Sequence, residues 1–404
     1  MLDLYWTSLI VFAGALALFF WFDRHNVERQ SILLLRKTQR GKQLIKGIGL
    51  RFPRFWKVLG TLGVLIGFYF SLQTLYSLAS LFIQTILTAM PVPGVSLVLP
   101  APTAIIGDGF IGVPVWYWII SIAVLVIVHE GLHGIIAASQ KVRLKSLGWG
   151  LLVVIPLAFV EPDEKQINNT SSWTQLRVYA AGSFANFIVA FFIILLVLPY
   201  AFSPFMAPVQ GAKVYPIVDY PFANSQLAGI TDNYTKEYLN IIITDMNGRP
   251  IGDSSELTSV INDIGIKPGD SVGLGVDVYY GSTMEHVDIE IVAAENPNNE
   301  TRGYIGISFD SISISTNEIM PAYMPARGLI MFITQMFVWV ALINMGVGMF
   351  NLLPIGPLDG GKMWSILFKR LSKRHHRLMS GILSYATLII LLGILLPAIA
   401  SNFI

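Results

Sequence analysis

The chain has 404 residues, of which 54% are hydrophobic and only 13% charged, whereas soluble domains carry about 25% charged residues. This composition predicts an integral membrane protein with a smaller soluble part. A net charge of +2 gives no argument for a nucleic-acid partner, and the absence of cysteine excludes disulfides and thiolate metal ligands.

The N-terminal region, residues 1–110, is predicted to be a two-helix membrane region. Leu4 to Phe22 is free of charge for nineteen residues, which is long enough for an uncleaved membrane helix. The following loop, 23–57, holds ten of the 27 Lys and Arg residues. The positive-inside rule places this loop in the cytoplasm and the N-terminus outside. We interpret the loop as a topology signal in contact with lipid, followed by a second span over 58–86.

A third span, predicted over 111–138, carries an H-E-x-x-H motif. Gly109 to Val128 contains no charged residue, and His129, Glu130 and His133 follow. Helix positions i and i+4 share a face, so both histidines can bind one metal ion with the glutamate beside a metal-bound water. Burying such a group in a membrane costs roughly 2.5–3.5 kcal/mol per charge, which favours a functional site. The alternative is a pair of buried, hydrogen-bonded histidines.

The next segments complete the first half of a membrane core, 111–207. His129 is predicted roughly 25–30 Å from the outer end of its helix, in the cytoplasmic half of the bilayer. The apolar stretch 146–161 is short and broken by Gly and Pro, which indicates a re-entrant strand or hairpin. A fourth span over 178–202 places Gly182 and Asn186 on one helix face.

Residues 208–325 are polar and rich in β-branched runs, and they predict a small extracytoplasmic domain. Asn247-Gly248 is typical of a hairpin turn. A short helix with a capping sequence is expected over 254–264, and paired strands over 272–280 and 287–294.

The second half of the membrane core is predicted over 326–404. A charge-free run of 31 residues, 328–358, predicts a fifth span. The stretch 351–361, with two prolines and three glycines, interrupts the helix near its end. A sixth span over 378–404 returns the chain to the outside. The predicted topology therefore places both termini outside the cytoplasm.

A catalytic zinc usually has three protein ligands and one open position, and the two histidines supply two of them. The candidates for the third are Asp359, Glu161, Asp163 and Glu164. Asp359 is the only other carboxylate at the inner end of an apolar span, at a depth similar to the histidine pair. We therefore prefer it, while the other three stay open.

These patterns together resemble the site-2 protease family of intramembrane zinc metalloproteases, in its archaeal and bacterial form. The matching motifs are His129-Glu130-x-x-His133, Asn351-x-x-Pro354-x-x-x-Leu358-Asp359-Gly360-Gly361, and Gly182-x-x-x-Asn186 with Ser183 where the family often has proline. The outer domain resembles a PDZ module through 226–230 and 244–251. The resemblance covers roughly 114–404.

The resemblance implies a fold, a cofactor and a set of roles. It implies a polytopic α-helical membrane protein of about six spans, with a re-entrant β-like segment and an inserted PDZ-like α+β domain. His129, His133 and Asp359 would bind one zinc ion, and Glu130 would be the general base. The further residues with implied roles are Asn186 for the substrate strand or the oxyanion, Asn351 for the shape of the cleft, and Gly182, Pro354 and Gly360 as support.

The implied partners are transmembrane protein substrates, which would unwind to expose a bond, and the lipid bilayer. The broken segment 148–160 would offer a strand edge to the unwound substrate. The PDZ-like domain would bind a peptide ligand or act as a size filter.

Three other readings of the sequence stay open. One is a membrane-embedded zinc protease of another class, which uses Glu161 or Glu164 as its third ligand and cuts soluble peptides. The second is a non-catalytic scaffold that binds exported proteins through the PDZ-like domain. The third is a transporter, which no inverted repeat in the sequence supports.

Overall fold

A computed structural model describes most of the chain, and it divides into two compact units. Unit 1 comprises Met1–Leu196 and Gln335–Ile404, and unit 2 comprises Val197–Thr334. The residues described are 4–22, 27–30, 33–39, 41–88, 94–102, 105–107, 109–152, 155–208, 211–216, 220–227, 239–280, 283–297, 299–308, 317–319, 323 and 326–401.

Ten α-helices are numbered here in chain order within that part of the sequence. They are α1 Leu4–Phe22, α2 Lys42–Arg51, α3 Pro53–Thr88, α4 Val115–Ser139, α5 Glu164–Asn168, α6 Ser172–Phe192, α7 Ser254–Ile264, α8 Arg327–Asn351, α9 Asp359–Leu371 and α10 His376–Ala400. A π-helix of ten residues, Ile193–Phe202, continues α6.

The strands of unit 1 are β1 Val27–Gln30, β2 Leu33–Thr38, β3 Leu97–Ala101, β4 Ile105–Gly107, β5 Phe110–Pro114, β6 Leu144–Leu152 and β7 Ile155–Pro162. Those of unit 2 are β8 Met206–Pro208, β9 Ala212–Pro216, β10 Leu239–Met246, β11 Arg249–Pro250, β12 Ser271–Tyr280, β13 Thr283–Val292, β14 Ala294–Asn296, β15 Asn299–Tyr304, β16 Ile307–Ser308 and β17 Asn317–Ile319.

Among the described residues, five helical segments are long and apolar enough to cross a membrane. They are Pro53–Thr88, Val115–Ser139, Ser172–Phe205, Gly328–Asn351 and His376–Ala400. The chain is therefore a multi-pass membrane protein with some sheet. The first predicted span is helical as α1, but its crossing of the membrane stays a prediction.

The predicted start of the third span at residue 111 is wrong. Residues Phe110–Pro114 form β5, which pairs with β3 and β4, and α4 begins at Val115. Pro114 has φ −51° and ψ 131°, because proline fixes φ and ends the extended segment at a position where a missing N–H is tolerated. His129 consequently lies about 21 Å along the helix from its first residue, at 1.5 Å per residue.

A four-stranded antiparallel sheet with the order β1-β2-β6-β7 accompanies the helices of unit 1. Its β6–β7 pair occupies the stretch predicted as a hairpin. The other two strands come from the basic loop 23–57, which the sequence had identified only as a topology signal. A Cβ on Gly49 of α2 would lie 2.6 Å from the carbonyl oxygen of Ile135, so the same loop also packs closely on α4.

Helix α3 packs against α6 through glycines. A Cβ on Gly60 would lie 3.2 Å from Cβ of Arg177, and one on Gly63 would lie 3.0 Å from Cδ1 of Phe184. Small residues at such spacing allow two membrane helices to approach closely. The N-terminal region thus supports α6, which carries Gly182 and Asn186.

Unit 2 contains an antiparallel sheet with the order β13-β12-β10-β9-β16 and the helix α7. Asn247 and Gly248 have φ of 51° and 73° in the turn between β10 and β11, as the hairpin signal predicts. Leu257 of α7 is fully buried in the hydrophobic core of this unit. The PDZ-like assignment stays a prediction, and residues 228–230 of one of its motifs lie outside the described residues.

Candidate metal centre

Three side chains predicted as metal ligands lie together in unit 1. His129 and His133 are one helical turn apart on the buried face of α4, and each is 8% exposed. Their Nε2 atoms are 3.2 Å apart. Oδ2 of Asp359 lies 3.0 Å from Nε2 of His133 and 3.3 Å from Nε2 of His129. Within the described part of the chain, these residues form the one group of three donors close enough to hold a metal ion.

Asp359 reaches this position because the chain folds back sharply after α8. That helix ends at Asn351, and a turn with Pro354 buried in it leads to α9. A Cβ on Gly360 would collide with the carbonyl of Leu352, so only glycine fits this close approach. Asp359 is the first residue of α9, where the helix N-terminus favours a negative charge.

The outer nitrogens of both histidines contact groups on α6. Nδ1 of His133 lies 2.6 Å from the carbonyl oxygen of Val178. As the Nδ1–H tautomer, this histidine donates to that oxygen and presents a lone pair on Nε2 to a metal. Second-sphere contacts of this kind fix the ring orientation of metal-binding histidines.

Asn186 occupies the equivalent place beside His129. It is fully buried, and its Nδ2 lies 3.1 Å from Nδ1 of His129. Its Oδ1 has no hydrogen-bond partner among the described residues. With the amide turned over, Oδ1 accepts a hydrogen bond from Nδ1–H of His129, which leaves the lone pair of this histidine on Nε2. This contact favours a role in orienting the histidine over the predicted roles in substrate or oxyanion binding.

Gly182 provides the space that the donor atoms face. A Cβ built on this residue would collide with Nε2 of both His129 and His133. Any side chain here would therefore fill the position between the ligand atoms, and glycine keeps it open.

The donor set fits a zinc ion. Zinc bound tetrahedrally at about 2.0–2.1 Å separates its ligand atoms by about 3.3 Å, and the three distances here are 3.0, 3.2 and 3.3 Å. Two imidazoles and one carboxylate are also a ligand set that catalytic zinc sites use.

A cavity of about 720 Å³ opens onto these residues. Glu130, one position from His129, lines the cavity, and its Oε2 accepts a hydrogen bond of 3.0 Å from the main-chain N–H of Val160 on β7. Asn351 also lines this cavity, as does β7 from Phe159 to Pro162.

The other candidate ligands are not part of the donor cluster. Oε2 of Glu161 accepts a hydrogen bond from Ser146 at 2.6 Å, and its Oε1 lies 3.9 Å from Nζ of Lys145. Asp163 caps α5, and the hydrogen bond from the main-chain N–H of Gln166 holds the pKa of its carboxyl below the usual range. Glu164 lines the cavity at the start of α5.

Sequence reasoning missed several groups at this site. The N–H of Val160 and the carbonyl of Val178 are main-chain groups, which no residue pattern identifies. Lys362 was not singled out either, although its Nζ lies 5.0 Å from the ring centre of Tyr179 at the cavity wall. Lys362 follows Asp359 by three residues, a spacing that makes two residues neighbours on a helix surface, and this spacing could have identified it.

Comparison with known proteins agrees with the geometry. A relative from Methanocaldococcus jannaschii, described as an uncharacterized protein, is 22% identical over 347 residues, which cover 86% of this chain and 80% of that protein. The model of Peptidase family M50 matches residues 117–394, which include the three candidate metal ligands, Glu130, Gly182 and Asn186. The chain belongs to Peptidase family M50, the site-2 protease family of membrane metalloproteases.

Proposed function

We propose that this protein is an intramembrane zinc metalloprotease that hydrolyses peptide bonds within or near the transmembrane helices of its substrates. The observation that carries the proposal is the meeting of His129, His133 and Asp359 beside Glu130. The two histidines and Glu130 stand on a helix that is long and apolar enough to cross a membrane.

The proposed chemistry divides between the metal and the protein. A zinc ion held by the three ligands would lower the pKa of a bound water and polarise the scissile carbonyl. The carboxylate of Glu130 accepts a proton from the water and then passes this proton to the leaving amine. Its Oε2 is held by Val160, so Oε1 is the oxygen that stays available for the proton. Asn186 and the carbonyl of Val178 hold the two imidazoles in place.

Strand β7 is the proposed docking edge for substrate. It pairs with β6 on one side and has no strand on its other side among the described residues. An unwound substrate segment can add to such an edge through main-chain hydrogen bonds from residues of β7 other than Val160, whose N–H is bonded to Glu130. Because Phe159 and Val160 of β7 line the metal cavity, a segment bound there would run past Glu130, with Asn351 on the cavity wall.

The proposed setting is the cell membrane, with both termini outside the cytoplasm and the metal centre in the cytoplasmic half of the bilayer. The position of His129 about 21 Å along α4 supports this depth. Besides transmembrane proteins and lipid, a peptide ligand of unit 2 remains a proposed partner.

The decisive experiment compares wild type with Glu130→Gln. Both proteins, purified in detergent, are assayed for zinc content and for cleavage of a model transmembrane substrate. We expect one zinc per chain in both, and a loss of cleavage of about 10²–10⁴-fold in the variant, because it lacks the general base. Undiminished cleavage by Glu130→Gln, or a wild-type protein that cleaves no membrane substrate, would reject the proposed function.

A further inference from the structure

The edge of β7 does more than border the cavity, because one of its main-chain groups bonds to Glu130. In an antiparallel ladder, successive residues direct their N–H and C=O groups alternately toward the partner strand and away from it. Val160 pairs with Leu147 of β6. Its N–H donates to Oε2 of Glu130 at 3.0 Å, so Val160 is one of the residues whose polar groups face away from β6.

The close approach of β7 to α4 depends on Gly134. This residue follows Glu130 by one helical turn, so the two share a face of α4. A Cβ on Gly134 would lie 2.9 Å from Cγ1 of Val160 and 3.0 Å from Cγ2 of Ile45 on α2. Because Gly134 has no side chain, both β7 and α2 can pack closely against α4 at this position.

We propose that the main-chain amide of Val160 is a positioning group for Glu130, and that Gly134 is the residue that brings it into place. This inference rests on the proposed function, in which Glu130 is the general base. A glutamate side chain rotates about three bonds, and one fixed hydrogen bond to Oε2 restricts that motion. The donor belongs to a sheet, so its position is set by the ladder rather than by a second mobile side chain.

The N-terminal region contributes to this arrangement. Ile45 of α2 contacts α4 at Gly134, and β2 pairs with the edge of β6 opposite to β7. Both elements precede the residues matched by the family model, which begin at 117. The position of the base is thus supported by a part of this chain outside the matched region.

The first test removes the amide with Val160→Pro. Proline is tolerated on an edge strand where the N–H faces away from the partner. Its control is Val160→Ala, which shortens the same side chain and keeps the N–H. We expect kcat for a model transmembrane substrate to be about 10–100-fold lower in Val160→Pro than in Val160→Ala, with zinc content near that of wild type in both. Any effect of the shortened side chain is common to the two variants, so the difference between them reports the amide.

The second test leaves the β7 backbone intact. Gly134→Ala pushes against Val160 and should lower kcat in the same way as Val160→Pro. Its control is Gly381→Ala on α10, which adds the same methyl group where nothing lies within 4 Å. Only Gly134→Ala should affect kcat.

A third measurement does not depend on activity. Residue-resolved hydrogen exchange in the full-length protein should show the Val160 amide protected in wild type. Because Glu130 is the acceptor, exchange at this amide should be at least about tenfold faster in Glu130→Ala.

The outcomes separate the two proposals. If wild type cleaves through Glu130, but Val160→Pro is as active as Val160→Ala, or the Val160 amide exchanges equally fast in wild type and Glu130→Ala, the positioning role is wrong. If Glu130→Gln retains full cleavage, it is the proposed function that fails.

Discussion

Among the described residues, two regions bring histidine and carboxylate side chains together, and they differ mainly in the burial of the histidines. In unit 1, the side chains of His129, His133 and Asp359 are 10%, 11% and 13% exposed. In unit 2, His286 of β13 lies 2.6 Å from Asp277 and 3.4 Å from Asp288. The side chain of Asp277 is 15% exposed, but that of His286 is 48% exposed and that of Asp288 is 85% exposed.

The difference in burial decides what each cluster needs. Water can solvate the exposed cluster of unit 2, so an ion pair there contributes little to stability. The cluster in unit 1 is largely buried and meets water along its cavity. Donor atoms packed at such short distances are costly without a cation. Similar residue types therefore predict a metal centre in unit 1 and an ordinary surface ion pair in unit 2.

The largest expected effect comes from filling the metal position. Gly182→Ala would place a methyl group against both ligand nitrogens, so we expect zinc content to fall from one per chain to below about 0.1, with loss of cleavage. Atomic spectroscopy of the purified protein measures this. The control is Gly346→Ala on α8, where nothing lies within 4 Å of the added Cβ. A Gly182→Ala protein with full zinc content would show that the metal binds elsewhere.

The second prediction sets equivalent substitutions in the two clusters against each other. Asp359→Ala removes a buried ligand, and we expect zinc affinity to fall by more than about 100-fold, beyond the usual effect of a second-sphere change. Asp288→Ala should leave zinc affinity unchanged, because its carboxylate is exposed in unit 2. Competition with a chelator of known affinity gives both values. Equal zinc affinity in Asp359→Ala and wild type would restore Glu161 or Glu164 as the third ligand.

The third prediction concerns the orientation of His129. Asn186→Leu removes the amide that contacts Nδ1 at similar volume, and we expect zinc affinity to fall about 10–100-fold. The matched control is Asn344→Leu, another fully buried amide, which donates to the carbonyl of Val340 instead of a ligand. If Asn186→Leu impairs cleavage but binds zinc as wild type does, Asn186 acts on the substrate or the oxyanion.

The sequence predicted those parts of the site that local patterns determine. Helical spacing placed His129 and His133 on one face of α4 and Gly182 with Asn186 on one face of α6, because that geometry needs no knowledge of the fold. Asp359 was identified from its depth at the end of an apolar span. The structure brings all three predicted ligands together.

The parts that the sequence did not predict depend on distant pairing or on main-chain atoms. Strand β2 pairs with β6 across more than a hundred residues, and the apolar content of either strand does not specify that partner. Almost every residue type has a main-chain N–H, so only the fold shows that the N–H of Val160 reaches Glu130. The start of α4 could have been predicted from the sequence, because Pro114 directly precedes it.

The smallest predicted effect tests the exposed cluster by its pH dependence. His286 and Asp277 are directly opposed on β13 and β12, and the hydrogen bond to Asp277 raises the pKa of His286 above its usual value. Because this pKa is higher in the folded state than in the unfolded state, the protonated histidine stabilises the hairpin. The stabilisation is complete at pH values below the unfolded-state pKa of about 6.5, and it is lost as the pH rises through the folded-state pKa. Because the histidine is half exposed, we expect a contribution of about a few tenths of a kcal/mol.

Hydrogen exchange of the β12 and β13 amides in the full-length protein measures this contribution. The protection of wild type relative to His286→Gln should be greater at about pH 5.5 than at about pH 8.5, since the intrinsic exchange rates cancel in the ratio. Asp277→Asn should lose most of this pH dependence, because it removes the nearer carboxylate and keeps the histidine. An equal ratio at both pH values would mean that His286 gains nothing from its carboxylate partners. A ratio that changes by more than about tenfold would mean that this cluster behaves as a buried one, and the contrast with the metal centre would then have to rest on geometry rather than on exposure to water.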